Sequence, residues 1–171
     1  MRMVLLLLIL VSLNVTAALK TLVITTTLDV RELYTNSIRS VEFIPAALEL
    51  TLNQDRTKFD DANATLKIET EIPVDMSEIP YLSTLTKNTS SCTDYSGVSV
   101  IQDGFVQLSI DGQNISEGES VSFSNFNSND GDNQYSEHDI TLSFKSFKDI
   151  TTIGYPERCN GEVVFNIEVD I

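Results

Sequence analysis

A formal net charge of −14 on 171 residues excludes the partners that bind through basic surfaces. Nucleic-acid phosphates and bare anionic membrane both repel an acidic face. The length fits one domain with a sizeable core. A single histidine leaves no redundancy for a histidine-based triad or a histidine-rich metal centre, so we expect no enzyme, no metal and no cofactor.

In chain order, Met1-Arg2-Met3, the apolar run Val4–Val11 and the small residues ending at Ala17 have the pattern of a secretory signal peptide. The run falls short of the roughly 20 residues that a membrane-spanning helix needs. We expect a leader over residues 1–17, with cleavage after Ala17 or Ala18. Behind it lies KTLVITTTLDV, Lys20–Val30. Counting by twos puts Leu22, Ile24, Thr26, Leu28 and Val30 on one face and Val23, Thr25, Thr27 and Asp29 on the other, a period-2 strand rich in β-branched residues. A strand at a chain terminus can pair inside its own domain or complete the sheet of a neighbour, and the pattern leaves both open.

Arg31–Ile44 is mixed, and Pro45 marks a break. Leu48, Leu50 and Leu52 then alternate with polar residues in Ala47–Leu52, and Ala62, Ala64, Leu66 and Ile68 do so in Ala62–Thr70. These two runs, separated by a polar turn at Asn53–Lys58 and Phe59, are expected to form a hairpin. Pro73 and Pro80 punctuate an irregular stretch up to Cys92, with a short helical turn near Tyr81–Leu85. Strands are expected at Val98–Ile101 and Phe105–Ile110, with turns at Asp103-Gly104 and Asp111-Gly112. Short strands follow at Ile115 and Val121–Phe126, then a polar loop at Asn125–Tyr135. His138–Phe144 holds Ile140, Leu142 and Phe144 in phase. The closing run Gly161–Ile171 alternates most clearly, with Val163, Phe165, Ile167, Val169 and Ile171 on one face. Short alternating strands without a helical period predict an all-β, immunoglobulin-like antiparallel β-sandwich.

Cys92 and Cys159 form an even pair in a chain expected to be exported, so we expect a disulfide. Asn63, Asn88 and Asn114 open glycosylation triplets of the kind that arise by chance in a chain rich in Asn, Ser and Thr. Asn125–Glu137 lacks the acidic first ligand and central glycine of a calcium loop and reads as a solvated loop. Asp60-Asp61 carries no pattern fixing a glycosidase carboxylate separation. His138 reads as a surface or strand-edge residue.

The layout of strand, turn, aromatic and strand from Pro45 to Thr70 resembles that of alpha-class chaperone–usher fimbrial subunits, the colonisation-factor pilins of enteric bacteria. KTLVITTTLDV behind the leader, VQLSIDGQNIS at Val106–Ser116 and the ending Gly161–Ile171 are similar to the corresponding pilin strands. The resemblance implies a sandwich that is incomplete and completed by donor-strand exchange. Residues 18–31 would be the donor-strand extension, with Leu22, Ile24, Thr26, Leu28 and Val30 facing inward, and residues 32–171 the pilin domain. Val163, Phe165, Ile167, Val169 and Ile171 would border the groove and meet the chaperone. It implies a structural subunit of a surface fimbria that supports adhesion to host cells. The partners would be other fimbrial subunits, a periplasmic chaperone, an outer-membrane usher and a host receptor, with transit through the periplasm to the cell surface. The competing expectation is a secreted monomeric β-sandwich that binds a host receptor or carbohydrate.

Overall fold

The computed structural model describes residues 33–76, 78–152 and 156–170. The leader and the run Leu22–Val30 therefore lie outside the described residues, as does Ile171. Ten strands are described: β1 (Ile38–Ile44), β2 (Ala62–Pro73), β3 (Tyr81–Asp94), β4 (Ser99–Ile101), β5 (Val106–Ile110), β6 (Gln113–Ile115), β7 (Ser120–Phe123), β8 (Ser128–Asn129), β9 (Asn133–Phe144) and β10 (Pro156–Val169). Helical structure among the described residues is confined to short 3-10 turns, one of them at Phe147–Asp149.

Every pairing is antiparallel, and the strands make two sheets. The first runs β1-β2-β9-β5-β6, with β8 also on β9; the second runs β10-β3-β4, with β7 also on β3. The core lies between them. From the first sheet Leu66, Ile68, Leu108, Ile110 and Ile140 point inward, and from the second Tyr81, Leu85, Val121 and Val169 meet them. This is an antiparallel β-sandwich, as the alternation predicts.

Where the hydrophobic period is clean, element and sequence agree. In β2, Ala64, Leu66, Ile68, Thr70 and Ile72 are buried, while the residues between them are not. The turn between β5 and β6 is Asp111-Gly112, both at positive φ (49° and 80°), the backbone that a two-residue hairpin with right-handed strand twist requires.

Four expectations are corrected. Ala47–Leu52 forms no extended strand: Leu52 makes one isolated bridge to Phe59, and Leu50 and Leu52 are exposed. The hairpin partner of β2 is instead β1, inside the stretch read as mixed. A bulge between Ile38 and Ser40 breaks the alternation there, so the residues paired with buried Thr70, Ile68 and Leu66 are Ile38, Val41 and Phe43, a 3-then-2 spacing that no period-2 count finds. The irregular stretch before Cys92, with its expected helical turn, is the 14-residue β3. Its centre, TKNTSSCT, is polar, yet it pairs with β10 from Lys87 to Thr93, and small and β-branched residues suffice for that backbone ladder. The loop expected over Asn125–Tyr135 is a tight turn between β8 and β9, with Gly131 at φ 103°.

His138 is also corrected. It is only 3% exposed and points from β9 into the core. Its Nδ1 lies 2.6 Å from Asp111 Oδ2, and its Nε2 meets the Tyr81 hydroxyl from the opposite sheet. A buried imidazole is tolerable because both nitrogens have partners.

The edge strand β1 is fastened to β2 by charge. Glu69 accepts hydrogen bonds from Arg39 Nη2 at 2.8 Å, Lys67 Nζ at 2.9 Å and Ser40 Oγ at 3.1 Å. Arg39 first, then Lys67 and Ser40, hold its pKa at about 2, against an ordinary 4.5. A depressed carboxylate pKa stabilises the fold above the unfolded-state value, and that contribution is lost as pH falls through the folded one. Melting temperatures of the native chain should therefore drop between pH 4.5 and about 2 more steeply than those of Glu69→Gln. Parallel curves would remove the clamp.

Candidate functional site

β10 is a long strand with one edge paired among the described residues. It runs against β3 from Pro156↔Asp94 to Val169↔Tyr81, and Cys159 falls opposite Cys92. Those two cysteines are bonded, with Cα atoms 4.0 Å apart, so the start of β10 is covalently tied to its partner strand. No described strand pairs with the other edge of β10. Unpaired N–H and C=O groups along such an edge are a template for another strand.

The inward face of β10 carries the consequence. Val169, at the Tyr81 end, is buried, whereas Val163, Phe165 and Ile167 are only half-buried although they pack on the core cluster. Across the opening stands β1, the edge strand of the other sheet, and the Phe43 and Phe165 rings approach to 6.1 Å between centroids. Val41 and Ile44 on β1 and Val164 on β10 are exposed. The sandwich is thus open, among the described residues, along the side between β1 and β10.

At the Cys159 end the opening deepens into a pocket of about 570 Å³. Its floor is aromatic: the Phe59 ring lies 5.4 Å from Phe144 and 5.0 Å from Phe147, and Phe105 lies 6.1 Å from Phe144. Leu48 and Leu50, which form no strand, line its mouth. Gly161 helps to keep it open. It follows Cys159 and precedes Val163 on the inward side, and a Cβ there would sit 3.2 Å from the Thr89 carbonyl oxygen and 3.4 Å from Ser90 Oγ. A larger residue would crowd the backbone of β3 and fill the pocket.

The expected groove-bordering residues Val163, Phe165, Ile167 and Val169 therefore lie together on one face of β10, and Ile171 is outside the described residues. The expected donor residues Leu22, Ile24, Thr26, Leu28 and Val30 are also outside them. The pocket phenylalanines were missed by sequence reasoning. Phe59, Phe105 and the Phe144/Phe147 pair come from three separate stretches and meet only once the sheets are stacked.

The opposite end of the sandwich is locked by polar contacts. The Tyr81 hydroxyl donates to Ser136 Oγ at 2.8 Å and meets His138, and its ring stacks on Phe126 and Phe123 at 4.4 and 5.0 Å. The chemistry on hand is burial and hydrogen bonding. Among the described residues no three His, Cys, Asp or Glu side chains gather into a metal-binding group.

No protein-family model matches the chain, and no curated protein matches its sequence. Among solved structures the chain is similar to the CooA pilin subunit from enterotoxigenic Escherichia coli. The match has 12% identity and a TM-score of 0.43, and covers 78% of this chain and all of that one. At that level the likeness carries no functional weight.

Burial pushes the Tyr81 phenol up to about 12 from 10.0. A raised folded-state pKa means that the stabilisation is complete below pH 10 and lost as pH rises through about 12. Alkaline difference absorbance should resolve a phenol that ionises near 12 together with unfolding. Tyr81→Phe should remove that step, and at neutral pH should lower stability by about 1–3 kcal/mol by stranding the His138 ring nitrogen. An unchanged alkaline titration in Tyr81→Phe would show that the buried phenol is not Tyr81.

Proposed function

We propose that this chain is a structural subunit of a bacterial surface fimbria that polymerises by donor-strand exchange. The N-terminal strand of one subunit fills the opening beside β10 of the next. The observation that carries this reading is an edge of β10 that no described strand pairs with, beside an apolar opening between the sheets.

The strand that would fill it has suitable chemistry. Leu22, Ile24, Leu28 and Val30 recur by twos, and burying them would contribute about 6–12 kcal/mol at roughly 1.5–3 kcal/mol each. Main-chain hydrogen bonds to the edge of β10 add on the order of 1 kcal/mol apiece. This is strand addition, in which backbone groups give affinity and alternate side chains give specificity, and chaperone–pilin complexes are an established instance of it. Thr26, smaller than its neighbours, suits a shallow point of the opening. A slip of one residue would bury Asp29 in place of Leu28, so register is strict. Before assembly the same edge needs cover, a role for a periplasmic chaperone with an outer-membrane usher as the site of exchange. Adhesion to host cells is then a property of the assembled fibre.

Charge placed on the donor face is the test. Ile24→Asp or Leu28→Asp should abolish fibres seen by electron microscopy of expressing cells and leave folded, chaperone-bound subunit in the periplasm. Thr25→Asp, on the opposite face, should still assemble. Fibres of normal length from Ile24→Asp and Leu28→Asp would refute the exchange.

A further inference from the structure

Asn160 is the one asparagine of the sequence that a glycine follows, and the pair lies on β10 among the residues lining the pocket at the Cys159 end. We propose that Asn160-Gly161 is a site of spontaneous deamidation, reactive while the edge of β10 is uncovered and protected once a strand pairs with it.

The reaction joins the Gly161 nitrogen to the Asn160 side-chain carbon. The nitrogen gives up its proton and attacks Cγ. An N–Cγ bond forms, the Cγ–Nδ2 bond breaks, and Nδ2 leaves as ammonia with that proton. Water then opens the cyclic imide at one of its two carbonyls, which gives aspartate or isoaspartate. Glycine favours closure because it has no Cβ to shield the attacking nitrogen and its backbone turns freely.

The ladder shows where that nitrogen points. Cys159 faces Cys92 with their Cα atoms 4.0 Å apart, the close spacing of an antiparallel pair that exchanges no main-chain hydrogen bonds. Two residues on, in unbroken register, Gly161 faces Ser90 and is a pair of the same kind. The Ser90 carbonyl agrees, since it accepts from the Gln102 N–H at 2.9 Å, on the flank of β3 away from β10. Residues in such a pair turn their own N–H and C=O outward. Gly161 therefore presents its N–H to the edge that no described strand pairs with. One described ladder, the one on β3, resists the turn of the 160–161 peptide that ring closure requires.

The side chain is equally available. Asn160 is exposed, and its amide makes no hydrogen bond among the described residues, whereas those of Asn53, Asn63, Asn88 and Asn127 are engaged. Asn166 on the same strand is the natural comparison. Its Nδ2 donates to Glu168 Oε1 at 2.8 Å, and isoleucine follows it.

Conversion puts a carboxylate at the pocket, and isoaspartate also adds one backbone carbon between Cys159 and Val163. A strand pairing along that edge would meet a broken register. The protection, and the loss of fitness to assemble in a subunit left uncovered, rest on the donor-strand reading above; the reactivity of Asn160 does not.

Peptide mass spectrometry on the full-length chain tests the site. Freshly purified, dilute monomer is incubated at neutral pH, well below its melting temperature, beside the same chain with Lys20–Val30 appended after Ile171. In the monomer Asn160 should convert clearly faster than Asn166. The appended strand should slow Asn160 about tenfold, because one more main-chain hydrogen bond must then break. Asn160 converting no faster than Asn166 in the monomer overturns the proposal. So does an appended strand that raises the melting temperature yet leaves the Asn160 rate unchanged. Where the appended strand changes neither melting temperature nor rate, and Asn160 still outpaces Asn166, the site is upheld and donor-strand exchange fails instead.

Discussion

A β-strand carries two rows of backbone hydrogen-bonding groups, and β10 uses one of them on β3. The rest of the arrangement follows from that asymmetry. Val163, Phe165 and Ile167 point into the core yet remain half-buried, because no described strand stands beside them to close the sandwich. The Phe43 and Phe165 rings approach across the opening without sealing it. The Cys92–Cys159 bond matters because β10, held on one side only among the described residues, has no second described ladder to keep its first residues in place. Closing a loop of that length in the unfolded chain stabilises the fold by about 4 kcal/mol on the chain-entropy view, less any native strain.

The two ends of the sandwich are built differently. Near Val169 the sheets are joined by the Asp111, His138 and Tyr81 contacts, and aromatic rings stack around them. Near Cys159 the corresponding space is the pocket floored by Phe59, Phe105 and Phe144. A polar network in a core is stabilising only when its members are satisfied, and it fixes which residues face each other. One end thus sets the registration of the sheets while the other stays open.

Much of the sandwich was legible because its strands are half-buried and therefore alternate. β2, β5, β9 and β10 all show that period, and the Asp111-Gly112 turn is written in residues that tolerate positive φ. What the chain concealed has physical causes. β1 hides behind a bulge that shifts its inward residues to Ile38, Val41 and Phe43. β3 hides because its polar centre holds its place through backbone pairing with β10, with few large apolar side chains. Leu48, Leu50 and Leu52 mimic a strand, but both edges of β2 are already taken by β1 and β9. His138 reads as a surface residue in isolation, since the partners that make its burial tolerable lie 27 and 57 residues away in sequence. The open edge itself is invisible to periodicity, which reports which face of a strand is buried and never how many neighbours it has.

Supplying the missing strand in cis is the most direct test of donor-strand exchange. The sequence Lys20–Val30 is appended after Ile171 through a flexible linker, and the native N-terminal copy is deleted. Sedimentation and thermal melting are then measured over a range of protein concentrations. A monomer is expected at every concentration, with a melting temperature well above that of the chain lacking the appended strand. Equal melting temperatures with and without the appended strand, on chains that both stay monomeric, would contradict the exchange, because the edge of β10 would then be complete without a donor.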